Sequence, residues 1–286
     1  HSVMPDPRIT LAKGWLPNSC FGVKDNAATE NSRGKGIDSQ WDIERAIDRG
    51  YAVATFYHGD LAPDKPGKAE GVFQHFKNPE GISGTPSDWG HLAAWAWGAQ
   101  RVADYLVGNP AIDSKRVAIF GHSRNGKAAI LAGAFDERFA LVLSHQAGCG
   151  GTSPSRGLVG EKVVDINTRF PHWFNDVFKE FNNDTARLPF DQNSLIALVA
   201  PRPILLSNAE EDTWANPAGQ FQMLQKAEPV YKLLGAGGLE TSTIPDSGKL
   251  SSGTLGFFIR PGKHSTTHQD WGAFLDFADR HFGRMK

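Results

Sequence analysis

The sequence predicts a single α/β domain in three layers, a mainly parallel sheet with helices on both faces. Three observations carry that prediction. Short apolar runs rich in β-branched residues alternate with helix-forming segments along all 286 residues, with no internal repeat and no linker. The runs are apolar along their length rather than alternating, as strands buried on both faces are. One alternation, Arg116 to Ile130, runs from apolar strand through a sharp turn between Gly121 and Gly126 into an Ala/Ile-rich helix, with Ser123 at the apex. In such sheets ligands bind beyond the carboxyl ends of the strands, so the residues that follow each strand are the ones to inspect.

In chain order, residues 1–40 are rich in Gly, Pro, Asn and charge and are expected as loop. Trp41 to Arg49 has Ile43, Ala46 and Ile47 at helical spacing, and Gly50 stops it. Tyr51 to Tyr57 is expected as a buried strand, and the polar, Pro- and Gly-rich stretch His58 to Pro86 as a long surface loop, a kind often functional. Asp88 opens an Ala-, Leu- and Trp-rich helix to about Val107. The serine-bearing strand follows, and its helix ends near Ala134. Phe139 to Ser144 is a strand and Gly148 to Gly160 a Gly/Ser loop. An aromatic helix is expected from Pro171 to Phe181, and a short one from Ser194 to Val199 before Pro201. Pro203 to Ala209 is a strand, residues 217–234 a helix, Gly256 to Arg260 the last strand and Asp270 to Phe282 the last, amphipathic helix.

A formal net charge of -1 leaves no electrostatic footprint for nucleic acid or an anionic membrane. No apolar run approaches the length that spans a bilayer. Cys20 and Cys149 make neither a disulfide framework nor a metal cluster; one bridge or two free thiols both fit.

Strand, sharp turn and helix with an apical serine form the nucleophile elbow of the α/β-hydrolases. The usual second glycine, two residues after the serine, is Asn125. A serine hydroxyl needs a base to take its proton, and the base needs an acceptor to fix its tautomer. The chain order in this fold is Ser, then Asp or Glu, then His. Asp212 follows the strand ending at Ala209, and His264 follows the strand ending at Arg260. Glu210 and Glu211 are reserves for the acid. His268 is a rival for the base; His58, His122 and His145 fall outside the expected order. His264 and His268 have helical metal spacing but lack the Glu of H-E-x-x-H, so no metal is expected. Arg124 offers a backbone N–H where an oxyanion donor belongs and a guanidinium that adds charge there or holds a carboxylate. A cation is disfavoured at a helix N-terminus, which makes a functional reason for Arg124 more compelling. Lys127 repeats the oddity one turn on, placed to bond a polar ligand.

Gly121 to Ala128 resembles the G-C/H-S-R-x-G-K-G/A motif of glucuronoyl esterases, carbohydrate esterase family 15. The resemblance extends through Arg49 to Thr55, Asp88-Trp89-Gly90 with Ala94 to Gly98, Phe170 to Phe174, Ala200 to Pro203 and Asp270-Trp271, and the bacterial branch is the closer match. It implies cleavage of the ester between 4-O-methyl-glucuronic acid on glucuronoxylan and lignin alcohols, with no cofactor, by a monomer that is secreted or periplasmic because its substrate lies outside cells. It implies Ser123 as nucleophile, His264 as base and Arg124 as oxyanion stabiliser. Lys127, Glu161 and Trp214 align with residues that contact the uronate sugar in the bacterial branch. In the fungal branch the acid is a Glu on the segment after the strand that follows the elbow; that position here is Gln146. A neutral amide cannot stabilise an imidazolium as a carboxylate does, so the acid is expected at Asp212. His1-Ser2-Val3 resembles sequence that lies inside the domain, so residues 1–286 are expected as one domain lacking an upstream N-terminal part, which leaves open whether the sheet has its full set of edge strands. The alternatives are an acetyl xylan or feruloyl esterase and a non-catalytic carbohydrate-binding relative. The Arg124/Lys127 pair argues against the first, and the intact Ser, Asp, His order against the second.

Overall fold

A computed structural model describes residues 4–76 and 87–283. A two-residue hairpin, β1 (Val23–Lys24) and β2 (Ala27–Ala28), and two short helices, α1 (Ile37–Gln40) and α2 (Ile43–Asp48), precede the main body. Then come α3 (His91–Val107), β3 (Ala118–His122), α4 (Arg124–Phe135), β4 (Leu141–His145), α5 (Val163–Arg169), α6 (Gln192–Ala197), β5 (Ile204–Ala209), α7 (Pro217–Leu233), β6 (Leu255–Arg260) and α8 (His268–Phe282). Strands β3-β4-β5-β6 pair in that order, all parallel. Their carboxyl ends therefore lie along one edge, followed by Ser123, Gln146, Glu210 and Pro261.

The strands bury both faces, as their unbroken apolar runs require. Val142, Ile204, Leu206, Leu255 and Phe257 pack with buried residues of α3, α4, α6 and α7. Leu141, Leu143, Leu205 and Phe258 pack on the other side with Ala46 of α2 and with Trp271, Phe274 and Phe277 of α8. The fold is the three-layer α/β-hydrolase arrangement. Gly133 brings α4 onto β4 closely enough that a Cβ there would lie 2.4 Å from Val142 Cγ2.

Tyr51–Tyr57 differs from expectation. It pairs with no strand among the described residues, and Ala52, Ala54, Thr55 and Phe56 are exposed. Its apolar, β-branched composition marks it for a sheet, but a strand exists only through a neighbour's hydrogen bonds, and β3 is the edge of the sheet described. Tyr51 and Val53 instead pack half-buried against the α8 cluster. The aromatic segment after Pro171 is also not an α-helix: turns lead into a 3₁₀ helix, Asp176–Phe181, and the α-helix there is α5, within a stretch that carried no helix signal. Residues 77–86 of the expected long loop lie outside the described residues. Cys20 is exposed, Cys149 is buried, and both are free thiols.

One buried ion pair ties the end of β6 to α8. Arg260 Nε donates to Asp270 Oδ2 (2.7 Å), with side-chain exposures of 4% and 0%. Asp270 Oδ2 also accepts from the Thr267 backbone N–H (2.8 Å), closing a capping box at the start of α8. The remaining Arg260 donors reach the carbonyls of Pro261 (2.8 Å) and Ser265 (2.6 Å). Removing one partner of such a pair leaves an uncompensated buried charge. Asp270→Ala is expected to lower unfolding free energy by about 3–5 kcal/mol, read as the midpoint shift in urea. A shift below about 1 kcal/mol would show that water reaches Arg260 and that the pair is dispensable.

Candidate active site

Ser123 sits at φ 58°, ψ -122°, a conformation non-glycine residues rarely adopt, between the end of β3 and the start of α4. Two glycines permit the bend. A Cβ on Gly121 would lie 2.0 Å from the Asn125 carbonyl oxygen, and one on Gly126 2.9 Å from the His145 carbonyl oxygen. The Ser123 N–H donates to the His145 carbonyl (2.8 Å), locking the elbow to β4. The Arg124 N–H falls in the first turn of α4, where no intrahelical carbonyl is in reach.

Asp212 and His264 meet because the loops after β5 and β6 are zipped together. Glu210 N–H donates to the Arg260 carbonyl (2.9 Å) and Glu211 N–H to that of Gly262 (3.0 Å). Asp212 is thereby turned inward and buried, and its Oδ2 accepts from His264 Nδ1 at 2.7 Å. That bond places the Nδ1 proton on the Asp212 side and leaves Nε2 as the basic nitrogen. The His264 ring lies 4.6 Å from that of His122, the residue before Ser123. No hydrogen bond joins Ser123 Oγ to His264 among the described residues; such contacts often tighten only with substrate bound. Glu210 and Glu211 are exposed, and His268 faces Asp42 (3.2 Å) away from the elbow. His58 stacks edge-on against Trp95 and takes no part.

Gln146 does not touch the base. Its Oε1 accepts from the Ser265 N–H (3.0 Å), which fixes the amide orientation, and therefore also from His122 Nε2–H (2.8 Å). Burial, with His145 and His264 nearby, pushes the His122 pKa down to about 3. Burial pushes that of His145 down to about 3 as well. Both rings are neutral at pH 7.

The sugar-side residues are placed less evenly. Lys127 is buried, and its Nζ donates to the carbonyls of Ala147 (2.5 Å) and Cys149 (2.6 Å), with Glu161 Oε2 at 3.7 Å. Burial lowers its pKa despite Glu161. Two of its three donors are thus taken by backbone carbonyls. Glu161 is buried and its N–H donates to the Trp214 carbonyl (2.9 Å). Gly160, at φ 77°, permits that approach: a Cβ there would lie 2.6 Å from the same oxygen. Trp214 is 42% exposed, with the Arg169 guanidinium 4.7 Å over its ring.

Sequence reasoning missed Asp64. It is 6% exposed and lies in the long loop after His58. Its Oδ1 accepts from His172 Nε2 (2.9 Å) and Trp173 Nε1 (2.8 Å), and its Oδ2 from Arg124 Nη1. The loop's length was the only signal for it. Asp212→Asn is expected to cut ester turnover by about 10⁴-fold, because an amide allows the wrong histidine tautomer, whereas Glu211→Gln should change it less than about threefold. A reversal of that order in the hydrolysis rates would move the acid to Glu211.

A family model described as fungal glucuronyl esterase matches residues 36–235. A carbohydrate esterase of an unknown prokaryotic organism is 44% identical over 282 residues, covering 98% of this chain and 65% of the relative. The 4-O-methyl-glucuronoyl methylesterase 1 of Wolfiporia cocos is 33% identical over 226 residues, 76% of this chain and 50% of the relative. The solved structure of a promiscuous CE15 esterase from a marine bacterial metagenome superposes with a TM-score of 0.91 at 44% identity, over 98% of this chain and 71% of that one. The chain spans between half and two thirds of these two curated relatives.

Proposed function

Since the chain belongs to the glucuronoyl esterase family, carbohydrate esterase family 15, we propose that it hydrolyses esters of 4-O-methyl-glucuronic acid on glucuronoxylan, through an acyl-enzyme. The observation that carries this reading is the 2.7 Å bond from His264 Nδ1 to the buried Asp212, which leaves Nε2 free beside the strained Ser123 elbow. Ser123 Oγ attacks the uronate carbonyl while His264 Nε2 takes its proton. The carbonyl oxygen becomes an oxyanion held by the Arg124 N–H and guanidinium. As the intermediate collapses, the alcohol leaves with the proton from His264. Water, deprotonated by the same nitrogen, then attacks the acyl carbon and releases uronate and Ser123.

Glu161 and Trp214 bind the sugar, by hydrogen bonds and by an exposed indole edge; Lys127 holds Glu161 and the 147–149 carbonyls in place. The polymeric substrate supports a secreted or periplasmic location, and no helix among the described residues is long and apolar enough to cross a membrane.

Release of benzyl alcohol from benzyl glucuronate tests the reading, with p-nitrophenyl acetate alongside. Turnover of the glucuronate ester is expected, and Ser123→Ala should reduce it by more than about 10⁴-fold with glucuronate binding retained. Turnover of the acetate alone would point to an acetyl or feruloyl esterase. Folded protein inert on both would point to a carbohydrate-binding relative.

A further inference from the structure

The Arg124 guanidinium is held on two sides. Its face lies over Trp173 (4.9 Å) and Phe170 (5.4 Å), which are themselves stacked 3.8 Å apart at 3°. One of its edges is bonded to Asp64 through Nη1. Asp64 is fixed in turn, by His172 Nε2 and Trp173 Nε1 on its other oxygen. Those two residues are anchored by the start of α3: the N–H groups of His91 and Leu92 donate to the carbonyls of His172 (3.0 Å) and Trp173 (3.2 Å), and His91 Nδ1–H also reaches the His172 carbonyl (2.9 Å). Gly90 permits this docking, since a Cβ there would sit 2.4 Å from the Trp173 oxygen. From the other side, Trp95 Nε1 donates to the Ala62 carbonyl (2.8 Å) and pins the loop two residues before Asp64.

A carboxylate this buried would ordinarily gain a proton. Burial does push its pKa up, but hydrogen bonds from His172 and Trp173 and the Arg124 charge outweigh it and hold Asp64 well below the usual carboxylate range. Asp64 is therefore a permanent anion. It bonds one Nη of Arg124 and does not engage the other guanidinium N–H groups, on a side chain still 36% exposed.

From this we infer that Asp64 is a positioning residue for the reaction, fixing the Arg124 guanidinium so that its spare donors meet the oxyanion formed at Ser123. The inference rests on the reading of Arg124 as oxyanion stabiliser. A preorganised donor is worth more than a mobile one, because it need not be oriented as charge develops.

The test is a double-mutant cycle on benzyl glucuronate hydrolysis with Asp64→Asn, Arg124→Ala and the pair. Asp64→Asn is expected to lower kcat by about 10–100-fold with KM changed less than about threefold, the signature of an interaction made mainly in the transition state. In the Arg124→Ala background the same change should cost less than about twofold, because its target is gone. An equal loss in both backgrounds, or no loss in either, overturns the inference. Arg124→Ala at wild-type kcat would instead overturn the reading of Arg124. A second measurement stands if Asp64→Asn fails to fold: Trp173→Phe, which removes one donor to Asp64 and keeps an aromatic face under Arg124, should lower kcat about threefold or more with KM unchanged. It too should have no effect on top of Arg124→Ala. An independent effect there overturns the inference equally.

Discussion

The position of the base depends on a charge pair sealed from water. Arg260 ends β6 and Asp270 lies in the first turn of α8, and the seven residues between strand and helix would be an ordinary surface loop without that pair. Buried ion pairs contribute little net stability, since desolvation offsets their attraction. What this one contributes is geometry. Arg260 has five N–H donors in a rigid fork, and it uses them on Asp270 and on two carbonyls of the loop it precedes. Ser265, one of those carbonyls, also receives His145 Nε2–H at 3.0 Å. His264 is the residue before it. The imidazole is thus carried by a backbone held from both sides, and Asp212 has only to set its tautomer.

Gln146 fits the same account. At its position an amide oxygen serves two N–H groups, one from the His264 loop and one from His122. An acid there would bring a second negative charge near the imidazolium. The amide brings none, but it ties β4, β3 and the base-bearing loop at one atom. His122, kept neutral by burial, lies tilted against the His264 ring and adds no charge beside it. With Asp212 already bonded to His264 Nδ1, position 146 needs no charge and braces the neighbouring segments.

How much of this is legible in the sequence follows from the range of each interaction. The elbow is legible because its strain is local: Gly121 and Gly126 clear space for backbone within five residues or on the adjacent strand. The order Ser123, Asp212, His264 is legible because parallel strands deliver successive loops to one edge. Tyr51–Tyr57 is misleading because composition reports the preference for a sheet and not the presence of a partner strand. The bonds of Lys127 to the carbonyls of Ala147 and Cys149 are not legible, because a lysine at that helix position reads alike whatever its ammonium meets. Asp64 is invisible because its partners lie 60 and 108 positions away, and no periodicity links them.

The arginine after the nucleophile poses an electrostatic problem that Asp64 answers. The N-terminus of α4 presents a partial positive charge, and a cation there is unfavourable by a few tenths to about 1 kcal/mol. A buried anion on the same guanidinium cancels that cost in the resting enzyme, where no substrate charge exists. It also sets a limit. A carboxylate that fully enclosed the guanidinium would leave nothing for an oxyanion, and would repel it. Asp64 avoids both, because it takes one Nη while His172 and Trp173 draw its charge to the far oxygen. If the guanidinium donors that Asp64 leaves open reach the oxyanion, they act together with the helix N-terminus and the Arg124 N–H where negative charge appears. The stabilisation is held in reserve for the step that creates the charge, which is the condition for lowering a barrier rather than merely tightening binding.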